Sequence, residues 1–81
     1  MKYTDFLNST RFNYAQINQI RYGLEDGVDV SIYARPELDS DKMREIRLGL
    51  KAGIDISSYV KPELSFLEMN KIRQELMSAA Q

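Results

Sequence analysis

The sequence predicts an all-α fold of three short-helix/long-helix units stacked into a small helical bundle or solenoid, and three observations predict it. Residues 20–38 (IRYGLEDGVDVSIYARPEL) recur as residues 46–64 (IRLGLKAGIDISSYVKPEL), with 11 identities in 19 positions at a shift of 26. Chance alone gives about one identity in such a window, so the period is a property of the fold. A helix-capping residue stands before each apolar stripe, and a glycine closes the first two stripes. The units fall at about residues 4–27, 28–53 and 54–81 of a single 81-residue domain.

The elements follow in order. Asp5-Phe6-Leu7 stand 26 before Ser31-Ile32-Tyr33, which predicts a first short helix near 5–10. Asn13, Asp39 and Ser65 are N-cap residues whose side-chain oxygens accept the free amides of a first helical turn. Three residues on stand Gln16, Lys42 and Glu68, so the first and third starts read as capping boxes and the middle one does not. Phe12, Leu38 and Leu64 precede the caps and meet Ile17, Met43 and Met69 one turn in, a hydrophobic staple made three times. Apolar residues then recur at helical spacing: Ile17/Ile20/Leu24, Met43/Ile46/Leu50 and Met69/Ile72/Leu76. Gly27 and Gly53 are left-handed stops. These features predict long helices near 13–26, 39–52 and 65–79. The connectors 30–35 and 56–61 are β-branched, yet Pro36 and Pro62 recur at one offset and six residues cannot build a stable sheet. A short helix capped by Asp29 or Ser31 and stopped before the proline is the reading. Ile46, with neighbours on both sides, is expected to matter more to stability than Ile20 or Ile72.

Composition excludes several classes of function. The chain holds no Cys and no His, which removes disulfides, thiolate nucleophiles, Cys/His zinc sites and the commonest general base. Eleven Lys and Arg against twelve Asp and Glu leave a net charge of −1, far from a polybasic nucleic-acid binder. No apolar run approaches the roughly 20 residues needed to span a bilayer, and Met1-Lys2-Tyr3-Thr4-Asp5 opens no signal peptide. A cytoplasmic protein without membrane contact is expected. Gly23-x-x-x-Gly27 lacks the Lys-Ser/Thr of a phosphate loop, and Asp39-Ser40-Asp41 lacks the Gly and Glu of a calcium loop. The expectation is no enzyme, no cofactor, no metal and no small-molecule substrate.

Several recurring residues invite a functional reading. Gly23 and Gly49 lie inside helices, where glycine costs roughly 1 kcal/mol against alanine, so a close approach by a neighbouring helix or connector is expected there. The third helix has Glu75 at that position, as expected if no further unit packs on it. Arg21, Arg47 and Arg73 flank the core stripe in every copy. Their stems are expected to cover the core while Glu37 and Glu63 take the guanidinium groups, against the sharper reading of an arginine row for phosphate or an acidic partner. Tyr22 and Leu48 share one repeat position, either as an exposed contact patch or as the apolar half of a glycine-ended helix stop. Leu67, on the outer side of the last helix, is the better candidate for a partner surface. Tyr33 and Tyr59 are expected to pack the short helices onto the long ones, with hydroxyls near solvent.

The two copies IRYGLEDGVDVSIYARPELD and IRLGLKAGIDISSYVKPELS resemble a short tandem repeat, roughly QM-x-EIR-x-GL-x-x-G-x-DVS-x-YA-x-P-x-F, of proteins from mobile elements and phages of gut Firmicutes. The resemblance covers about residues 12–76. It departs at Leu38 and Leu64, where the pattern often has an aromatic residue, and at Ile17, which replaces the first Met. It implies a setting in mobile DNA and supplies no catalytic residue. The expected function is a non-catalytic protein-binding module of a mobile genetic element, for example an anti-CRISPR inhibitor that occludes a defence nuclease. Leu67, Tyr22, Leu48, Arg44 and Arg47 are the candidate partner-binding residues. The alternative is a small DNA-binding transcriptional regulator that presents Lys42, Arg44, Arg47 and Lys51 of the 39–52 helix. Asp39, Asp41 and Glu45 interleave those charges and disfavour it.

Overall fold

A computed structural model of the protein describes residues 11–79. Three α-helices follow one another: α1 (Tyr14–Asp26), α2 (Ser40–Ala52) and α3 (Phe66–Ala79). One 3-10 turn lies in each connection, at Val30–Ile32 and Ile56–Ser58, and no strand occurs among the described residues. The short helix expected near 5–10 lies outside the described residues.

Each helix starts as its side chains dictate. The Asn13 side chain accepts from the Gln16 amide while Gln16 Oε1 accepts from the Asn13 amide, both at 2.8 Å. Ser65 and Glu68 exchange the same pair of bonds at 3.1 Å. Asp39 caps the Lys42 amide at 2.9 Å with no return bond, since a lysine has no acceptor to offer. α1 and α2 end on Gly27 (φ 75°) and Gly53 (φ 77°), the left-handed backbone that favours glycine. Just beyond, the Val28 and Ile54 amides reach back to the Gly23 and Gly49 carbonyls at 3.0 and 3.2 Å, which completes a Schellman stop.

The connectors are shorter than the sequence led us to expect. Asp29 and Asp55 do cap them, accepting from the Ser31 and Ser57 amides at 3.1 and 3.0 Å. Only one turn then forms, and Tyr33 and Tyr59 close it by donating to the Val30 and Ile56 carbonyls. Pro36 and Pro62 keep only Arg35 and Lys61 from helical geometry; the turn has already left it at Tyr33 (φ −118°) and Tyr59 (φ −130°).

α2 packs against both α1 and α3, and no comparable contact joins α1 to α3. The resulting stack measures 38 × 25 × 16 Å. Its core is Ile20, Val30, Tyr33, Leu38, Met43, Ile46, Ile56, Tyr59 and Met69. Ile20 is buried as completely as Ile46, so burial alone does not set the two apart. The α1 face is covered by the connector as well as by α2, whereas Ile72 is only half-buried.

Candidate protein-interaction surface

The joints between units decide which side chains remain available, and each joint repeats. Tyr33 and Tyr59 have no solvent exposure, and their hydroxyls donate to the Gln19 and Glu45 backbone carbonyls at 2.5 and 3.0 Å. The expectation of solvent-facing hydroxyls is therefore corrected. Burial pushes the Tyr59 hydroxyl up to about 12 and the Tyr33 hydroxyl further in the same direction. The tyrosines reach those carbonyls across Gly23 and Gly49. A Cβ at either glycine would collide with the tyrosine hydroxyl, and would lie 2.6 Å from Val30 Cγ1 or Ile56 Cγ2. This is the close approach that the intrahelical glycines predict.

A second link runs from Gln16 and Lys42. Gln16 Nε2 donates to the Pro36 and Leu38 carbonyls at 3.2 and 2.7 Å, and Lys42 Nζ donates to the Pro62 carbonyl at 2.7 Å. Both side chains hold down the loop that enters the next helix. The lysine is thus a connector clamp, and Gln16 is at once capping residue and clamp.

The arginines form the third link, and their partners differ from those expected. Glu37 and Glu63 are exposed and take no part. Arg47 of α2 reaches back to α1, donating to Gln19 Oε1 at 3.2 Å and to Asp26 at 2.7 Å. Arg73 of α3 reaches back to α2, donating to Glu45 Oε1 at 2.8 Å, where Asn70 also donates to both carboxylate oxygens at 3.3 and 3.4 Å. Sequence reasoning missed these partners because it sought a recurring acid, whereas the acceptors sit on the preceding helix, 28 residues back for Gln19 and Glu45 and 21 for Asp26, and vary between units. The Arg47 bond holds the Asp26 carboxyl below its ordinary value of 3.8.

Of the candidate residues, Leu67 is 68% exposed and lies beside Phe66, itself 42% exposed, in the first turn of α3. Phe66 was not singled out from sequence, although an apolar pair straight after the Ser65 cap was there to be read. Arg44 is exposed and has no side-chain partner among the described residues. Tyr22 is 44% exposed, but the Arg47 guanidinium lies 5.6 Å over its ring, and Leu48 is half-buried at the equivalent position. Arg47 is committed to the α1–α2 joint. Leu67 and Arg44 are exposed, Arg47 and the Tyr22 ring beneath it belong to the α1–α2 joint, and Leu48 is half-buried. Tyr14, 77% exposed at the start of α1, is a further outward aromatic.

Among the described residues no group of three or more His, Cys, Asp or Glu is placed to hold a metal ion, and no helix is long and apolar enough to cross a membrane. No protein-family model matches the chain, and no curated protein or solved structure matches it.

Proposed function

We propose that the chain is a non-catalytic protein-binding module that acts in the cytoplasm. The observation that carries this reading is the pair Phe66 and Leu67, two large apolar side chains held outward by a helix whose own buried face is already satisfied by Met69 and Ile72. Exposed apolar surface on a small rigid scaffold is the usual footing for a protein partner. The repeat's resemblance to mobile-element proteins sets the biological context: an inhibitor of a host defence nuclease, anti-CRISPR-like, that occludes a surface of its target.

The geometry of α2 weighs against the DNA-binding reading. Of its four cations, Lys42 is bonded to the Pro62 carbonyl, Arg47 is locked on Asp26 and Gln19, and Lys51 leans on Asp26 at 3.5 Å. That leaves Arg44 and the exposed, loosely held Lys51 for a phosphate, half of the four cations. The test is a panel of purified CRISPR effector nucleases incubated with the chain. One of them is expected to form a stable complex and lose target cleavage. Leu67→Asp is expected to release it while leaving the circular dichroism spectrum unchanged. A discrete duplex complex at submicromolar protein, abolished by Arg44→Glu, would overturn the protein-binding reading.

A further inference from the structure

The internal repeat supplies a template for reading a surface that the described residues leave uncovered. At the α2–α3 joint, Asn70 and Arg73, one turn apart, close on the two oxygens of Glu45. Exactly one period of 26 separates them from Arg44 and Arg47, and another separates those from Asn18 and Arg21. The pair Asn18-x-x-Arg21 on α1 therefore reproduces Asn70-x-x-Arg73 in both residue type and spacing.

What differs is occupancy. The Asn70/Arg73 pair looks back at α2, and Arg47 looks back at α1, so Asn18 and Arg21 look to the side of α1 away from α2. Arg21 is exposed and Asn18 half-buried, and neither side chain has a hydrogen-bonding or charged partner among the described residues. Tyr14 stands one turn earlier in the same row (positions 14, 18, 21) with 77% of its surface exposed. Tyrosine and arginine are among the residue types enriched where binding energy concentrates at protein interfaces.

We propose that Asn18 and Arg21 form a carboxylate clamp that seats an acidic helix of a partner protein, in the register in which Asn70 and Arg73 seat Glu45. The ligand chemistry follows from the template. A glutamate on a helix face gives the guanidinium a charged acceptor and the amide a second oxygen, and Tyr14 covers the apolar flank. A second copy of this chain stacked end to end is a poor occupant. The α3 position equivalent to Glu45 is Lys71, which would set like charges together, and Glu75 fills the place where Gly23 and Gly49 admit a tyrosine. The proposal rests on the protein-binding reading and assigns it a face on α1, distinct from Phe66 and Leu67.

The test uses the full-length chain, isotope-labelled, titrated with a helix-stabilised peptide of residues 40–52 in which Lys42, Arg44, Arg47 and Lys51 are replaced by alanine, so that Asp41 and Glu45 are its only charged side chains. Amide shifts are expected to concentrate at Asn18, Arg21 and their neighbours on α1. Affinity is expected to fall about tenfold or more when the peptide carries Glu45→Lys or the protein carries Arg21→Glu. Pairing Arg21→Glu with a Glu45→Arg peptide is expected to recover part of it. Arg21 is exposed, so these variants keep the fold, and the unchanged remainder of the spectrum checks that. Equal affinity for the Glu45→Lys peptide, shifts confined to Phe66 and Leu67, or no shift at millimolar peptide overturns the clamp. So does a clamp that takes inorganic phosphate and refuses the peptide, which makes it an anion site. If Leu67→Asp releases a nuclease partner while the peptide never touches Asn18 and Arg21, the protein-binding reading stands and the clamp alone falls.

Discussion

A glycine, a tyrosine hydroxyl and one backbone carbonyl make each connector joint, and this triplet is where single residues matter most. Gly49→Ala raises helix propensity by about 1 kcal/mol, but its Cβ meets the Tyr59 hydroxyl and Ile56 Cγ2. Overpacking of this kind costs about 1–3 kcal/mol, so the net effect in urea unfolding is expected to be a loss. Tyr59→Phe in that background is expected to return part of the loss by removing the nearest atom, and a double-mutant cycle reads the coupling directly. A second expectation concerns pH. The Tyr59 hydroxyl is ordinarily at 10.0 and is pushed up to about 12 in the fold, chiefly by burial. A raised folded value means that the contribution is complete below pH 10 and is lost as pH climbs through 12. The urea midpoint is expected to drop over that window, and to drop less in Tyr59→Phe; identical alkaline profiles would remove the hydroxyl from the account. The glycine half of this joint was legible in the sequence, because an intrahelical glycine at two equivalent positions demands a close neighbour. The hydroxyl half was not, since a tyrosine is amphipathic and its pattern does not tell whether its tip meets water or a carbonyl.

Helices α2 and α3 are tied by a buried ion pair, and α1 and α2 by a more open one, so the two joints should answer differently to the same substitution. Glu45 keeps only 4% of its side-chain surface in water and Arg73 keeps 11%. Arg73→Met leaves that carboxylate with Asn70 alone, and breaking a buried pair from one side costs about 3–5 kcal/mol. Arg47→Met is expected to cost less, because Asp26 is more open and retains Lys51 at 3.5 Å. Adding Glu45→Leu to Arg73→Met is expected to restore most of the stability, since an apolar pair replaces an unpaired charge. Thermal melts of these variants check the order; an equal loss at the two arginines would deny the difference in burial its role. At this scale the caps and glycine stops were legible because each is a local arrangement between residues three to five apart. The arginine partners and the true length of the connectors were not. The first depend on a register across helices, and the second on where Tyr33 and Tyr59, bonded to the preceding helix, leave the turn that Asp29 and Asp55 had begun.

Across the described residues, the stacking of units spends Gln16, Gln19, Asp26, Lys42, Glu45, Arg47, Asn70 and Arg73 on holding one unit to the next. That fixes what remains for a partner. The sequence places Lys42, Arg44, Arg47 and Lys51 within a helix and three turns, enough to look like a basic face; the fold binds Lys42 and Arg47 to acceptors of its own. The function was less legible than the fold for this reason, since periodicity reports burial while availability depends on which side chains the joints consume. The difference has a measurable consequence in ionic strength. Four cations free to neutralise phosphates would give a log–log salt slope for duplex binding of about −3.6, whereas Arg44 with the exposed Lys51 gives about −1.8. Weak, non-specific duplex association with the shallower slope is expected from fluorescence anisotropy between low and physiological salt. Binding to a protein target through Phe66 and Leu67 buries apolar surface instead, so its affinity is expected to change little over the same range and to be abolished by Leu67→Asp. A slope near −3.6 that Lys42→Ala and Arg47→Ala make shallower would mean that duplex DNA pulls Lys42 and Arg47 off their internal acceptors. The joints would then loosen on binding, and the nucleic-acid reading would replace the protein-binding one.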